Sequence, residues 1–187
     1  MNRAMRLFGL MALFLVVTAG GPVSAAPDLE NTLYLDVPAG RVVIELRPDL
    51  APQTVAHIKE LTKKGFYDGL KFHRVIAGFM AQTGDPQGNG AGGSGQTVKA
   101  EFTQTHFLRG SLGLARTDDP NSGDSQFFIC FAPAPFLDGK YALFGQVTKG
   151  MEFVDAIKKG DQARNGTVTN PDRIVKMQIA ADAEKKP

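Results

Sequence analysis

Phe72-His73-Arg74-Val75-Ile76-Ala77-Gly78-Phe79-Met80-Ala81-Gln82-Thr83-Gly84-Asp85 sets one guanidinium, Arg74, a few residues ahead of an apolar pair, Phe79 and Met80, and an uncharged amide, Gln82. Gly78 stands between the two halves as a turn residue. A strand, a turn and a returning strand bring the second half beside the first, so that a fixed cation faces an apolar floor. Taken alone, the stretch reads first as a hairpin with a surface arginine. The rest of the chain decides between the two.

Downstream, Gly88, Gly90 and Gly93 match G-x-G-x-x-G, but no helix pattern follows, and a phosphate seated on a helix N-terminus needs that helix. The better reading is a backbone with unusual dihedral angles or close approach at the rim of a site. Ser111 to Ala115 is a short strand whose small residues let another backbone come close, and a polar loop, Arg116 to Asp124, leads to an apolar strand, Gln126 to Phe131. Pro133-Ala134-Pro135 then breaks regular structure and implies a rigid loop presenting Phe136 and Leu137. Ala142 to Val147 is a strand; Met151, Val154 and Ile157 predict a second helix ending at Gly160; Ile174 to Ile179 is a last strand before a charged tail, residues 182–187, expected to fray.

Upstream, Thr32 to Val37 and Arg41 to Leu46 flank Pro38-Ala39-Gly40 as a hairpin. Pro52 opens a helix with Val55, Ile58 and Leu61 at helical spacing, closed by Gly65. The pattern predicts a mainly β fold, a closed eight-stranded antiparallel barrel with a filled interior, capped by two helices. Ahead of it, Arg3 and Arg6, the apolar run Leu7 to Val17 and the small residues ending at Ala26 describe a secretory leader. Cleavage is expected after Ala25, which leaves one domain over residues 26–181 and its short tail. Read as an uncleaved anchor, the run falls short of the roughly 20 residues a bilayer needs.

Two of the 21 basic residues lie in the leader and none of the 19 acidic ones does, so the remaining chain is balanced in charge and gives no support for a nucleic-acid partner. The single cysteine, Cys130, excludes an internal disulfide framework and reads as a small apolar residue of a buried strand. His57, His73 and His106 show no metal-ligand spacing, and His57 reads as an ordinary helix histidine. No G-x-S-x-G elbow is present. What remains is an apolar surface with an arginine and a glutamine, in a chain that needs no cofactor.

Phe72-His73-Arg74-Val75-Ile76, Gly78-Phe79-Met80-Ala81-Gln82, Gly84-Asp85, Ser125-Gln126-Phe127-Phe128-Ile129 and Phe136-Leu137-Asp138-Gly139-Lys140, followed by Phe144-Gly145, together resemble the cyclophilin family of peptidyl-prolyl cis/trans isomerases. The blocks run in order from about Leu33 to Ile179. With its leader and short Gly84 to Gly93 loop, the chain is most similar to exported bacterial members. The resemblance implies a catalytic Arg74 and a proline pocket made by Phe79, Met80, Phe128 and Leu137. It also implies a hydrogen bond from Gln82 to the peptide, backbone pairing by Ala115 and Arg116, and a rim completed by Phe136 and Tyr141.

The implied partners are proline-containing segments of unfolded or partly folded exported proteins. The implied state is a monomer without nucleic acid, cofactor, metal or stable membrane insertion, in the periplasm or fully secreted. Phe136 stands where many members carry tryptophan, and Tyr141 where many carry histidine. Losing the indole N–H predicts weak cyclosporin binding with isomerisation largely retained. Leu114, Arg116 and Thr117 also differ from the commoner residues, which bears on the residue preferred before proline. A module that only holds unfolded clients in the same groove is the competing reading, and an intact Arg74 argues against it. Asn165-Gly166-Thr167 matches a glycosylation sequon, which matters only in a eukaryotic secretory pathway.

Overall fold

Strand β1 (Thr32–Val37) turns at Pro38 and Ala39 into β2 (Gly40–Leu46), and alternate residues of the pair, Leu33, Leu35, Val37, Val42, Ile44 and Leu46, bury on one face. The computed structural model describes residues 28–185, so the expected leader lies outside the described residues. Helix α1 (Pro52–Lys63) follows, with proline in its first turn and Val55, Ile58 and Leu61 buried. Its N-terminal amides are met by a carboxylate from far along the chain: Gln53 N and Thr54 N donate to Glu101 at 2.9 and 2.8 Å.

The central stretch becomes the hairpin β3 (Arg74–Ile76) and β4 (Met80–Thr83), with Gly78 at φ 75° in the turn. Then come β5 (Ser111–Leu114), β6 (Phe127–Cys130), β7 (Leu143–Lys149), α2 (Met151–Asp155), β8 (Lys176–Ile179) and α3 (Ala180–Glu184). The eight strands form one curled sheet in the order β3-β4-β6-β5-β7-β2-β1-β8, each neighbour antiparallel. Its concave face is filled by Leu33, Leu35, Ile44, Ile58, Phe72 and Leu112, and by a run of edge-on rings, Tyr67 on Phe127 at 5.6 Å and Phe127 on Phe144 at 6.0 Å.

The sheet departs from the expected closed barrel. No ladder joins β3 to β8; the gap holds isolated bridges, Lys71 to Arg173 and Arg74 to Thr167, and bonds such as Phe72 N to Asp172 O at 2.9 Å. The chain opposite β3 carries Asn165 and Asn170 in the left-handed region and Pro171, which has no N–H, and such residues cannot extend a ladder. The helices also differ from expectation. α2 stops at Asp155, five residues before Gly160, as Lys159 Nζ folds back onto the carbonyls of Asp155 and Ile157 and Lys158 N turns to Asp172 Oδ2 at 2.8 Å. Where fraying was expected from Asp182, α3 is a third short helix, and Tyr34 Oη donates to Glu184 Oε1 at 3.0 Å. α1 packs on β8 and β7, and α2 on β2.

Candidate active site

Strand alternation builds the site. In β3, β4 and β6, Val75, Ala81, Phe127 and Ile129 point into the main core, which leaves Arg74, Ile76, Met80, Gln82, Phe128 and Cys130 on the outer face. Register pairs Arg74 with Gln82 and Gln82 with Phe128, so cation, amide and aromatic ring stand in one row across three strands. Met80, Phe128 and Cys130 form a second apolar cluster with Phe107, Ala134, Leu137 and Leu143.

The loop after β6 covers one side of that cluster. Ala134 N donates to Phe107 O at 2.8 Å, and the turn Pro135–Leu137 buries Leu137 while leaving Phe136 58% exposed, its ring 5.2 Å from that of Phe79. Asp138 ties the turn down by contacting His106 Nδ1 at 2.6 Å and accepting from Phe107 N at 2.9 Å, and these partners hold its carboxyl below the usual range. On the other side Phe128 meets Tyr141 edge-on at 5.7 Å, and the Arg116 guanidinium lies 4.8 Å over the Tyr141 ring. Gly113 makes room for this. A Cβ there would sit 2.3 Å from Phe128 Cζ, so the small residues of β5 admit a side chain where the sequence suggested a backbone.

A cleft of about 860 Å³ opens over this row. All ten residues singled out from the sequence line it: Arg74, Phe79, Met80, Gln82, Ala115, Arg116, Phe128, Phe136, Leu137 and Tyr141. Burial lowers the Arg74 guanidinium from its ordinary value, yet arginine stays charged in proteins. Its three hydrogen-bond partners are all neutral oxygens: Gln82 Oε1 at 3.1 Å from Nη1, Asn165 O at 3.1 Å from Nε and Asn165 Oδ1 at 3.0 Å from Nη2. Among the described residues the lining holds no carboxylate and no thiol. Cys130 lies beneath the floor, fully buried, its thiol pushed up to about 12 by burial.

Sequence reasoning left out several residues that the structure brings here. Gln126 accepts from Gln82 Nε2 at 2.9 Å and donates to Gly90 O and Gly92 O at 3.0 and 2.8 Å. Arginine has only donors, so Gln82 must show it an oxygen, and the polarity of both amides follows. The glycine-rich loop, by contrast, was expected at the rim of a site and does form the cleft wall, with Gly88 and Gly90 at positive φ. It is wound around Asp85. Burial pushes that carboxyl up, but amide donors at Gly90, Gln87 and Asn89 outweigh it, and the net shift is downward. His73 also lines the cleft; burial lowers its pKa, and the ring is neutral at pH 7. Asn165 arrives from 91 residues away, and nothing in the sequence joins it to Arg74.

Comparison with known proteins gives the chain's family. The family model for cyclophilin type peptidyl-prolyl cis-trans isomerase/CLD matches residues 32–179. A probable peptidyl-prolyl cis-trans isomerase of Brucella suis is 50% identical over 92% of this chain and 95% of its own length. Peptidyl-prolyl cis-trans isomerase B of Bacillus subtilis is 46% identical over 71% of this chain and 94% of its own. Among solved structures, the cyclophilin AquaCyp293 of Hirschia baltica superposes with a TM-score of 0.74 at 27% identity, covering 83% of this chain and 76% of that one. A Cryptosporidium parvum cyclophilin type isomerase, solved in the presence of the dipeptide Ala-Pro, gives 0.72 at 27% identity over 79% of this chain and 98% of that one. With the row of cation, amide and aromatic floor in place and a match running from β1 to β8, the chain belongs to the cyclophilin-type peptidyl-prolyl cis-trans isomerase family.

Proposed function

We propose that the protein accelerates cis-trans rotation about Xaa-Pro bonds in unfolded or partly folded exported proteins and so assists their folding. In this non-covalent mechanism Arg74 stabilises the twisted amide over a proline pocket of Phe79, Met80, Phe128 and Leu137. One observation carries the reading: a guanidinium held only by neutral oxygens at the edge of an apolar cleft.

Rotation about the amide crosses a barrier of about 18–20 kcal/mol because it destroys resonance. In the twisted state the proline nitrogen regains its lone pair and accepts a hydrogen bond, so a donor there binds the transition state better than either ground state. Arginine suits the task because its fork holds a carbonyl oxygen and still offers a donor to the nitrogen. Such a charge-assisted bond contributes about 1.5–3 kcal/mol, one to two decades in rate. The apolar floor adds to this, since the planar amide is more polar than the twisted one and loses more on leaving water. Gln82 and the Ala115-Arg116 backbone hold the flanking peptide, and Phe136 and Tyr141 close the rim.

The export role rests on the opening residues: Arg3, Arg6, the apolar run and the small-residue site ending at Ala26. The mature protein is a periplasmic monomer that begins after Ala25, which N-terminal sequencing of the purified protein checks. Among the described residues no helix is long and apolar enough to cross a membrane. Phe136 offers no N–H, so cyclosporin binds weakly, and Phe136→Trp tightens it in a calorimetric titration. Tight binding by the native protein contradicts that reading.

The activity itself is tested by NMR exchange spectroscopy on an Ala-Xaa-Pro-Phe peptide with substoichiometric protein. Exchange accelerated far beyond the uncatalysed tens to hundreds of seconds supports the isomerase. Binding without acceleration leaves a client-holding groove.

A further inference from the structure

Asn165 supplies two of the three acceptors that hold the Arg74 side chain, its backbone O to Nε and its side-chain Oδ1 to Nη2. It reaches them from the residue that ends the turn Gln162–Arg164, at φ 52° and ψ 36°. That turn is strapped to the outer edge of β3: Val75 N donates to Gly166 O at 2.8 Å, Gly160 N to Val75 O at 2.9 Å, and Arg74 bridges to Thr167. The carboxylate nearest in the turn, Asp161, is engaged elsewhere, accepting from Arg164 Nε at 2.9 Å and Ala163 N at 3.0 Å. The fold therefore brings an amide to Arg74 and ties the neighbouring acid to another arginine.

Left-handed backbone alone does not call for an amide. Glycine adopts it freely and aspartate about as readily as asparagine. What sets asparagine apart is an oxygen that accepts without carrying charge. A carboxylate in its place would form a charge-assisted, two-point pair with the guanidinium and draw it off the substrate. We propose that Asn165 is a positioning residue for Arg74, a neutral acceptor that fixes the guanidinium over the cleft without neutralising it. This rests on the reading of Arg74 as the catalytic group.

Asn165→Gly and Asn165→Asp separate the turn from the acceptor, because both keep the left-handed backbone. Gly removes Oδ1, and Asp keeps its shape but adds charge. Each variant is measured by NMR exchange at limiting and saturating peptide, together with the Arg74 Nε–H signal and thermal midpoint, with Arg74→Ala as reference. The expected result is a maximal exchange rate lowered at least about fivefold in both. KM should change by less than about twofold. The Arg74 signal should shift in both, with midpoints near that of the native protein. If both variants exchange like the native protein while Arg74→Ala is impaired, Asn165 is only a turn residue and the inference falls. If Arg74→Ala also retains native exchange, the reading of Arg74 itself fails.

Discussion

The two faces of β4 and β6 present the same kinds of residue to different ends. Inward, Ala81, Phe127 and Ile129 join a core closed on every side, where Phe127 stands edge-on between Tyr67 and Phe144. Outward, Met80, Phe128 and Cys130 join a smaller cluster that the 133–137 loop covers only in part, and the uncovered part is the cleft floor. Adjacent phenylalanines on one strand thus face a closed core and an open cleft. An apolar surface becomes a site when its cover is incomplete and a charge is fixed at its rim.

Two substitutions one residue apart test the division between the faces. Phe127→Ala opens a cavity among rings and is expected to cost about 3–5 kcal/mol in chemical denaturation, with exchange per folded molecule unchanged. Phe128→Ala removes a ring that already faces the cleft. Its stability cost is smaller, about 2 kcal/mol, while catalysed exchange falls about tenfold. Reversed outcomes would mean that the outer cluster holds the fold and the inner face shapes the site.

A subtler test asks whether the outer cluster is as dry as the core. Cys130 sits on the outer face, and burial pushes its thiol from the ordinary 9.0 up to about 12. Above pH 9 the unfolded chain releases this proton while the folded chain keeps it. The unfolded state then binds fewer protons, so stability falls as pH rises, by up to about 1.4 kcal/mol per pH unit, until about pH 12. Tyr67, raised well above its ordinary 10.0 by burial, adds the same sign of effect at higher pH and is untouched by a change at Cys130. Cys130→Ala should therefore flatten the fall between pH 9 and 10. An unchanged slope there would show a thiol wetter than its burial implies.

Much of this was legible in the sequence because it is local. The Phe72 to Asp85 hairpin, the Pro52 helix and the alternation of β1 and β2 need only neighbours in the chain, and the ten residues named through the block resemblance all line one cleft. What sequence reading missed is held by long-range contacts. Asn165 reaches Arg74 across 91 residues, Gln126 reaches Gln82 across 44, and Glu101 caps α1 from 47 away. Closure of the barrel does not follow from the strand count, which says nothing of whether the edges pair. The asparagines and proline opposite β3 carried that signal. The second helix is shorter than its pattern predicts because Met151, Val154 and Ile157 do bury or half-bury at helical spacing, while the turn after Asp155 depends on Asp172, far beyond any local window.

The role of Arg74 is read directly from the catalysed exchange rate of an Ala-Xaa-Pro-Phe peptide with Arg74→Ala, measured beside its Kd for the same peptide. The expected rate is lowered tenfold or more, about the effect of one charge-assisted bond made only at the twisted amide. The Kd should move by less than about threefold, because the apolar floor that binds the ground state is intact. A variant that exchanges the peptide as fast as the native protein would show that Arg74 is not the catalytic group.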